Sequence, residues 1–161
     1  MRILVCSDSH GSARNIMLAA DQQQGAGAYV FLGDGVRDAE FLRSFAASKS
    51  NPPKPVYLLL GNCDGAAPYP LYETFSLADK TILCTHGHRD HVKFGPDTLL
   101  YRAEEQGAQL CLFGHTHTPF IGYEAGIHLF NPGSIRDGIY GFVDITPAGI
   151  VCQHVRVREI F

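Results

Sequence analysis

The chain has 161 residues, 45% apolar and 18% charged, a length that suits one domain and a charge content too low for disorder. Thirteen basic against sixteen acidic residues leave a formal charge of −3, so no basic excess marks it for duplex nucleic acid or an anionic lipid surface. Its apolar runs, such as 3–6 and 57–60, are strand-length and far short of a membrane span.

Residues 2–6 predict a buried strand that starts at once, leaving no room for a signal peptide, and runs into Ser7-Asp8-Ser9-His10-Gly11. Ser12 is placed to cap a helix reaching about Gln24, with Ile16, Met17 and Ala20 as its apolar stripe and Gly25 and Gly27 ending it. Residues 29–32 predict a second strand, stopped by Gly33-Asp34-Gly35. Asp38 is expected to cap a second helix bearing Phe41, Leu42 and Phe45. The proline-rich connector 51–55 leads to a third strand over 56–60. This β-α-β-α-β order predicts parallel strands in a sheet covered on both faces.

Beyond Asn62 the character changes. Residues 71–75 and 81–85 read as a hairpin around Ala78-Asp79-Lys80. Pro96 opens a third helix ending near Gly107, and 110–113 predict a strand entering Gly114-His115-Thr116-His117. The tail, 120–157, alternates β-branched and aromatic runs with Gly and Pro turns, the pattern of antiparallel strands. The expected fold is mixed α/β, with two packed sheets and helices outside. Five cysteines without a C-x-x-C pair argue against a disulfide framework or a structural zinc knuckle and fit a reducing cytoplasm; all but Cys63 fall in predicted strands.

Histidine is the unusual residue: there are eight, and six crowd into three short windows. In open α/β sheets, ligands bind beyond the carboxyl ends of the strands. Here Asp8 and His10 follow the first strand, Asp34 the second and Asn62 the third; His86 follows the hairpin, and His115 and His117 the last of these strands. Side chains at i and i+2 of an extended segment point the same way, so Asp8/His10 and His115/His117 can each grip an ion as a pair. Any one of these motifs is ordinarily a turn. Five in series, each at a strand end, point to a metal site.

Asp8-Ser9-His10, Gly33-Asp34, Gly61-Asn62-Cys63-Asp64, His86-Gly87-His88 and Gly114-His115-Thr116-His117, in that order, resemble the calcineurin-like metallophosphoesterases. The chain length, the closing Asn131-Pro132-Gly133-Ser134 and the lack of a cap domain resemble most the small YfcE-type phosphodiesterases, whose scaffold the retromer sorting subunit shares. The resemblance implies one domain over 1–161, a four-layer αββα sandwich with a dinuclear site at one end. It implies one ion on Asp8, His10, Asp34 and His117 and another on Asp34, Asn62, His86 and His115, with Asp34 bridging. Nitrogen and oxygen donors without thiolate suit Mn, Fe, Co, Ni or Zn better than Ca or Mg, and manganese is placed first. The implied reaction is in-line attack of a metal-bridging hydroxide on a phosphate ester, most directly a small phosphodiester or nucleotide-type substrate. The alternative is a non-catalytic, metal-binding interaction scaffold like the retromer subunit, whose discriminating feature is ligand loss; all seven ligand positions here carry competent side chains.

One position departs from the pattern. Many family members have histidine after Gly-Asn; this chain has Cys63, a poorer hydrogen-bond donor than imidazolium. Asn62, Cys63 and His88 are the candidate catalytic side chains, and Asp64 either orients a ligand histidine or caps a turn. His91, Arg89 and Lys93 make a basic rim, while His128 and His154 belong to tail strands. A cytoplasmic location is expected, with neither duplex nucleic acid nor membrane as partner, and the strand-rich tail offers an edge for a homo-oligomer.

Overall fold

A computed structural model describes residues 1–159. Strand β1 (Arg2–Cys6) is followed by helix α1 (Ala13–Gln22), β2 (Ala28–Phe31), α2 (Leu42–Lys49) and β3 (Val56–Leu58). Then come β4 (Tyr72–Leu77), β5 (Lys80–Thr85), α3 (Asp97–Glu105) and β6 (Leu110–Leu112). The chain closes with β7 (Phe120–Glu124), β8 (Ile127–Asn131), β9 (Ile139–Thr146) and β10 (Gly149–Arg156).

These strands form two five-stranded mixed sheets, ordered β10-β9-β1-β2-β3 and β4-β5-β6-β8-β7. Alternation along each strand explains how the sheets stack. Leu4 and Cys6 of β1, with Tyr29 and Phe31 of β2, pack under α1 and α2. Their neighbours Ile3, Val5, Ala28 and Val30 face the other way, meeting Ile82, Cys84, Leu110, Leu112 and Phe130 of the second sheet. On that sheet's far side Leu83, Cys111 and Leu129 pack with Leu99 and Ala103 of α3. Three apolar interfaces between four layers are what an αββα sandwich requires, and the expected architecture is the one found.

Several local expectations change. Met17 is 49% exposed, and Ala19 joins Ile16 and Ala20 on the buried stripe of α1. Ser12 precedes that helix but makes no side-chain cap bond. Asp38 does not cap α2: it lies in a short 3₁₀ turn, and its carboxylate instead accepts from Ser9 Oγ (2.6 Å) and Gly11 N–H (2.8 Å). Strand β3 stops at Leu58, although Leu59 N–H still reaches Phe31 O at 3.0 Å. The tail is not one antiparallel group, since β8 runs antiparallel to β7 but parallel to β6. Strand β9 crosses to the first sheet, where it lies antiparallel to β1 and β10.

Every cysteine is free, and Cys63 alone is exposed. No helix among the described residues is long and apolar enough to cross a membrane. The stacking predicts unequal costs for two truncations. Leu112→Ala, at the buried contact between sheets, is expected to lose about 2–5 kcal/mol in urea unfolding. Met17→Ala is expected to change stability by less than about 0.5 kcal/mol; equal losses would contradict this assignment of layers.

Candidate metal centre

The segments leaving β1, β2, β3, β5 and β6 meet at one end of the sandwich, and backbone hydrogen bonds stitch them together. Asp8 N–H donates to Gly33 O (2.9 Å) and His10 N–H to Asp34 O (3.1 Å). Gly114 N–H donates to His86 O (3.0 Å), and His115 N–H to Asp8 Oδ2 (3.2 Å). A Cβ at Gly61 would collide with Asp34, and one at Gly114 with Ser7 and Asp8, so both positions require glycine.

The ligand-bearing segments are not extended. Asp8, His10, Asp34, His115 and His117 all have left-handed backbones, with φ between 42° and 69°. Such conformations cost on the order of 1–3 kcal/mol each and persist only where their surroundings impose them. They also redirect the side chains. Asp8 and His10 do share a cluster, completed by His117, whereas His115 turns away from His117 to join Asp34 and His86. His115 and His117, expected from i/i+2 spacing to grip one ion as a pair, thus stand in different groups of potential donors.

Distances within the centre are short. His117 Nε2 lies 3.2 Å from Asp8 Oδ1, with His10 Nε2 and His86 Nε2 each 3.8 Å from the same oxygen. Asp34 Oδ2 lies 3.3 Å from His86 Nε2 and 3.8 Å from His10 Nε2, so its carboxylate is within reach of both clusters. Asn62 Oδ1 is 3.1 Å from His86 Nε2. On the far side of that ring, Nδ1 lies 2.7 Å from Leu32 O and donates its proton there, which fixes the ring with Nε2 turned to the centre.

Two observations test whether these residues fit a cation. Asp8 Oδ1 is fully buried and has no hydrogen-bond partner, although Oδ2 accepts from Ser7 Oγ at 2.6 Å. The Nε2 atoms of His10 and His117 face each other at 3.2 Å. A buried acceptor left bare among imidazole nitrogens is costly unless a cation completes it. The donors are nitrogen and carboxylate or amide oxygen, a set suited to divalent transition metals.

The electrostatics follow from the same crowding. Burial opposes ionisation of Asp34, but His86, by hydrogen bonding and by charge, together with Cys63 N–H at 2.8 Å, pulls its carboxyl well below the usual range. Burial pushes His115 down to about 4, helped by the charges of His86 and Lys93, so its imidazole is neutral at pH 7. His88 is likewise lowered, first by burial and then by His86. Its ring centroid lies 5.5 Å from that of His86 and 6.1 Å from that of His115, and its Nδ1 is buried without a partner. Desolvation, then the hydrogen bond and charge of Asp34, push the Cys63 thiol up, keeping it protonated. Its Sγ lies near His10 and Asp34 in a third cluster of potential donors.

Supporting residues are more numerous than the sequence indicated. The Asp64 carboxylate accepts four backbone N–H bonds, from Asp34 and Gly61 on Oδ2 (both 2.8 Å) and from Gly35 (2.8 Å) and Val36 (3.0 Å) on Oδ1. It touches no ligand histidine; of its two expected roles, the structure shows the capping one. Asn131 donates to Gly114 O (2.9 Å) and Thr116 Oγ1 (3.0 Å), and Ser134 Oγ to Asp8 O (2.8 Å). His154, on β10, lies 2.7 Å by Nε2 from Asn131 O. The sequence reading missed Asp90, buried beside Arg102 Nε at 2.8 Å, which ties the turn after His88 to α3. Nothing in the local pattern marked that pair, because its members lie twelve residues apart.

Comparison with known proteins places this geometry. The chain is 33% identical to the probable metallophosphoesterase YsnB of Bacillus subtilis, over 84% of this chain and 76% of that protein. It is 32% identical to the phosphodiesterase YfcE of Escherichia coli, over 89% and 88%. The crystal structure of a predicted phosphoesterase from Streptococcus pneumoniae superposes with a TM-score of 0.82 at 29% identity, covering 99% of this chain and 92% of that one. Vps29 from Entamoeba histolytica, complexed with zinc, shares the fold at 17% identity, with a TM-score of 0.73 over 98% and 100%. The calcineurin-like phosphoesterase superfamily domain matches residues 1–144. With its aspartates and histidines gathered as potential metal donors at the strand ends, the chain belongs to the calcineurin-like phosphoesterase superfamily and is a metallophosphoesterase.

Proposed function

We propose that the chain is a dinuclear metal-dependent phosphodiesterase. The observation that carries this reading is the Asp34 carboxylate, within reach of donors in both clusters. Asp8, His10, Asp34 and His117 would hold one ion and Asp34, Asn62, His86 and His115 the other. Divalent ions at such a site lower the pKa of water and set positive charge against the phosphoryl oxygens. Manganese is the first choice of metal, with nickel, cobalt, iron and zinc as alternatives.

The chain's own groups divide the remaining work. The two carboxylates temper the charge of the site without cancelling it, so a phosphate ester is still attracted. Asn62 turns its Oδ1 to His86, while its amide group on the exposed side donates one N–H to Cys63 Sγ at 3.5 Å and keeps a second for a phosphoryl oxygen. His88 stands beside His86 and His115, where a ring N–H can reach the ester. Cys63 contributes a protonated thiol, which suits leaving groups that need little help from an acid. Asp64 acts through Asp34: by binding three consecutive N–H groups from Asp34 to Val36, and that of Gly61, it sets where the shared carboxylate points. The scaffold alternative rests on the likeness of fold to Vps29 alone; that protein was crystallised with zinc, so turnover and not metal binding separates the two readings.

Two experiments test the reading. Chelator-stripped protein titrated with Mn, Ni, Co, Zn and Mg is expected to cleave bis-p-nitrophenyl phosphate in preference to p-nitrophenyl phosphate, and Asp34→Asn to lower that rate more than about 100-fold. A fully active Asp34→Asn, or two bound metals without turnover of any ester, would overturn it. Asp64→Ala is expected to keep the fold by circular dichroism and weaken metal binding about 10–100-fold by calorimetry. Unchanged affinity would remove the positioning role.

A further inference from the structure

A cavity of about 300 Å³ opens between the loop that follows His88 and the one that carries His115 and His117, walled by Val92, Pro96, Phe113 and Phe120, with Lys93, Thr116 and Thr118 as its polar lining. Its walls belong to the segments that carry the ligands. Thr116 lies between His115 and His117, and Phe113 is two residues before His115. The Val92 methyl groups pack against Gly87, next to His86, closely enough that a Cβ there would approach them to 2.9 Å. The Phe113 and Phe120 rings stand 6.1 Å apart, tilted by 57°. Phe113 and Val92 are buried, whereas Phe120 and Lys93 are exposed at the mouth.

Those walls have a definite chemistry. The volume sits at the lower limit for ligand pockets and is ample for a small aromatic group. Tilted aromatic faces favour a flat aromatic guest. The lining holds no acidic residue, and Lys93 is its one charged group, its charge felt at His115. A cationic arm would find no partner there and would be repelled.

We propose that this cavity receives one ester arm of the substrate and selects a planar aromatic arm that is neutral or anionic. The assignment rests on the phosphoesterase reading above and specifies its substrate class. The other arm stays in solvent.

Binding of non-hydrolysable probes to the manganese-loaded protein, measured by calorimetry, tests it: inorganic phosphate, methylphosphonate, phenylphosphonate and 4-(aminomethyl)phenylphosphonate. Phenylphosphonate is expected to bind at least about tenfold tighter than methylphosphonate. That advantage is lost in Thr118→Trp, which fills the cavity from its exposed rim, and reduced in Phe120→Ala, while inorganic phosphate binds all three proteins alike. The aminomethyl probe is expected to bind more weakly than phenylphosphonate, and Lys93→Glu to reverse that order. Phosphate binding with equal affinity for the phenyl and methyl probes would overturn the cavity assignment and leave the phosphoesterase reading standing. Failure of inorganic phosphate to bind would overturn both.

Discussion

Unshared electron pairs crowded around two buried carboxylates are the constraint on which this structure turns. Asp8 Oδ1 has three imidazole nitrogens within 3.8 Å and no proton donor of its own. Asp34 Oδ2 has two of the same nitrogens at comparable range. Such an arrangement repels itself unless protons or metal ions occupy it. It persists through the layers beneath: three apolar interfaces make a rigid platform, and the strand ends bring remote segments to one point. Left-handed backbone at five ligand positions then aims the side chains. That local strain is offset by backbone hydrogen bonds to side chains that are not themselves candidate ligands: Asp64 accepts from Asp34, Asn131 donates to Gly114 and Ser134 to Asp8.

Much of the fold was legible because buried strands are written as short apolar runs that end at glycine or aspartate. β1, β2 and β6 follow that rule, β5 runs into His86-Gly87 instead, and four of the candidate ligand segments follow these strands directly. Sheet membership was less legible. Alternation in β8 and β9 indicates strands but does not name partners, and those strands pair across more than a dozen residues with β6 and β1. The apolar stripe of α1 was misplaced by one side chain, since Met17 and Ala19 flank the same face and burial chose the smaller. Asp38 looked like a helix cap because aspartate often is one. A tight turn intervened, and the Ser9–Gly11 loop claimed its carboxylate.

The centre was legible in its residue types and not in its geometry. The candidate donors follow from composition at strand ends, which the sequence displays openly. Backbone handedness does not, and it is handedness that separates His115 from His117. The part played by Asp64 was half visible: a turn-capping aspartate was a fair expectation, but four N–H bonds across two loops come from tertiary contact. Cys63 lies at the rim with its thiol protonated, beside rather than within the two principal donor clusters.

The most direct test of this account is anomalous diffraction from crystals of the protein grown with manganese. Two manganese peaks per chain are expected, about 3.5–4 Å apart, with the Asp34 carboxylate between them. A single peak, or two peaks that do not share Asp34, would contradict it.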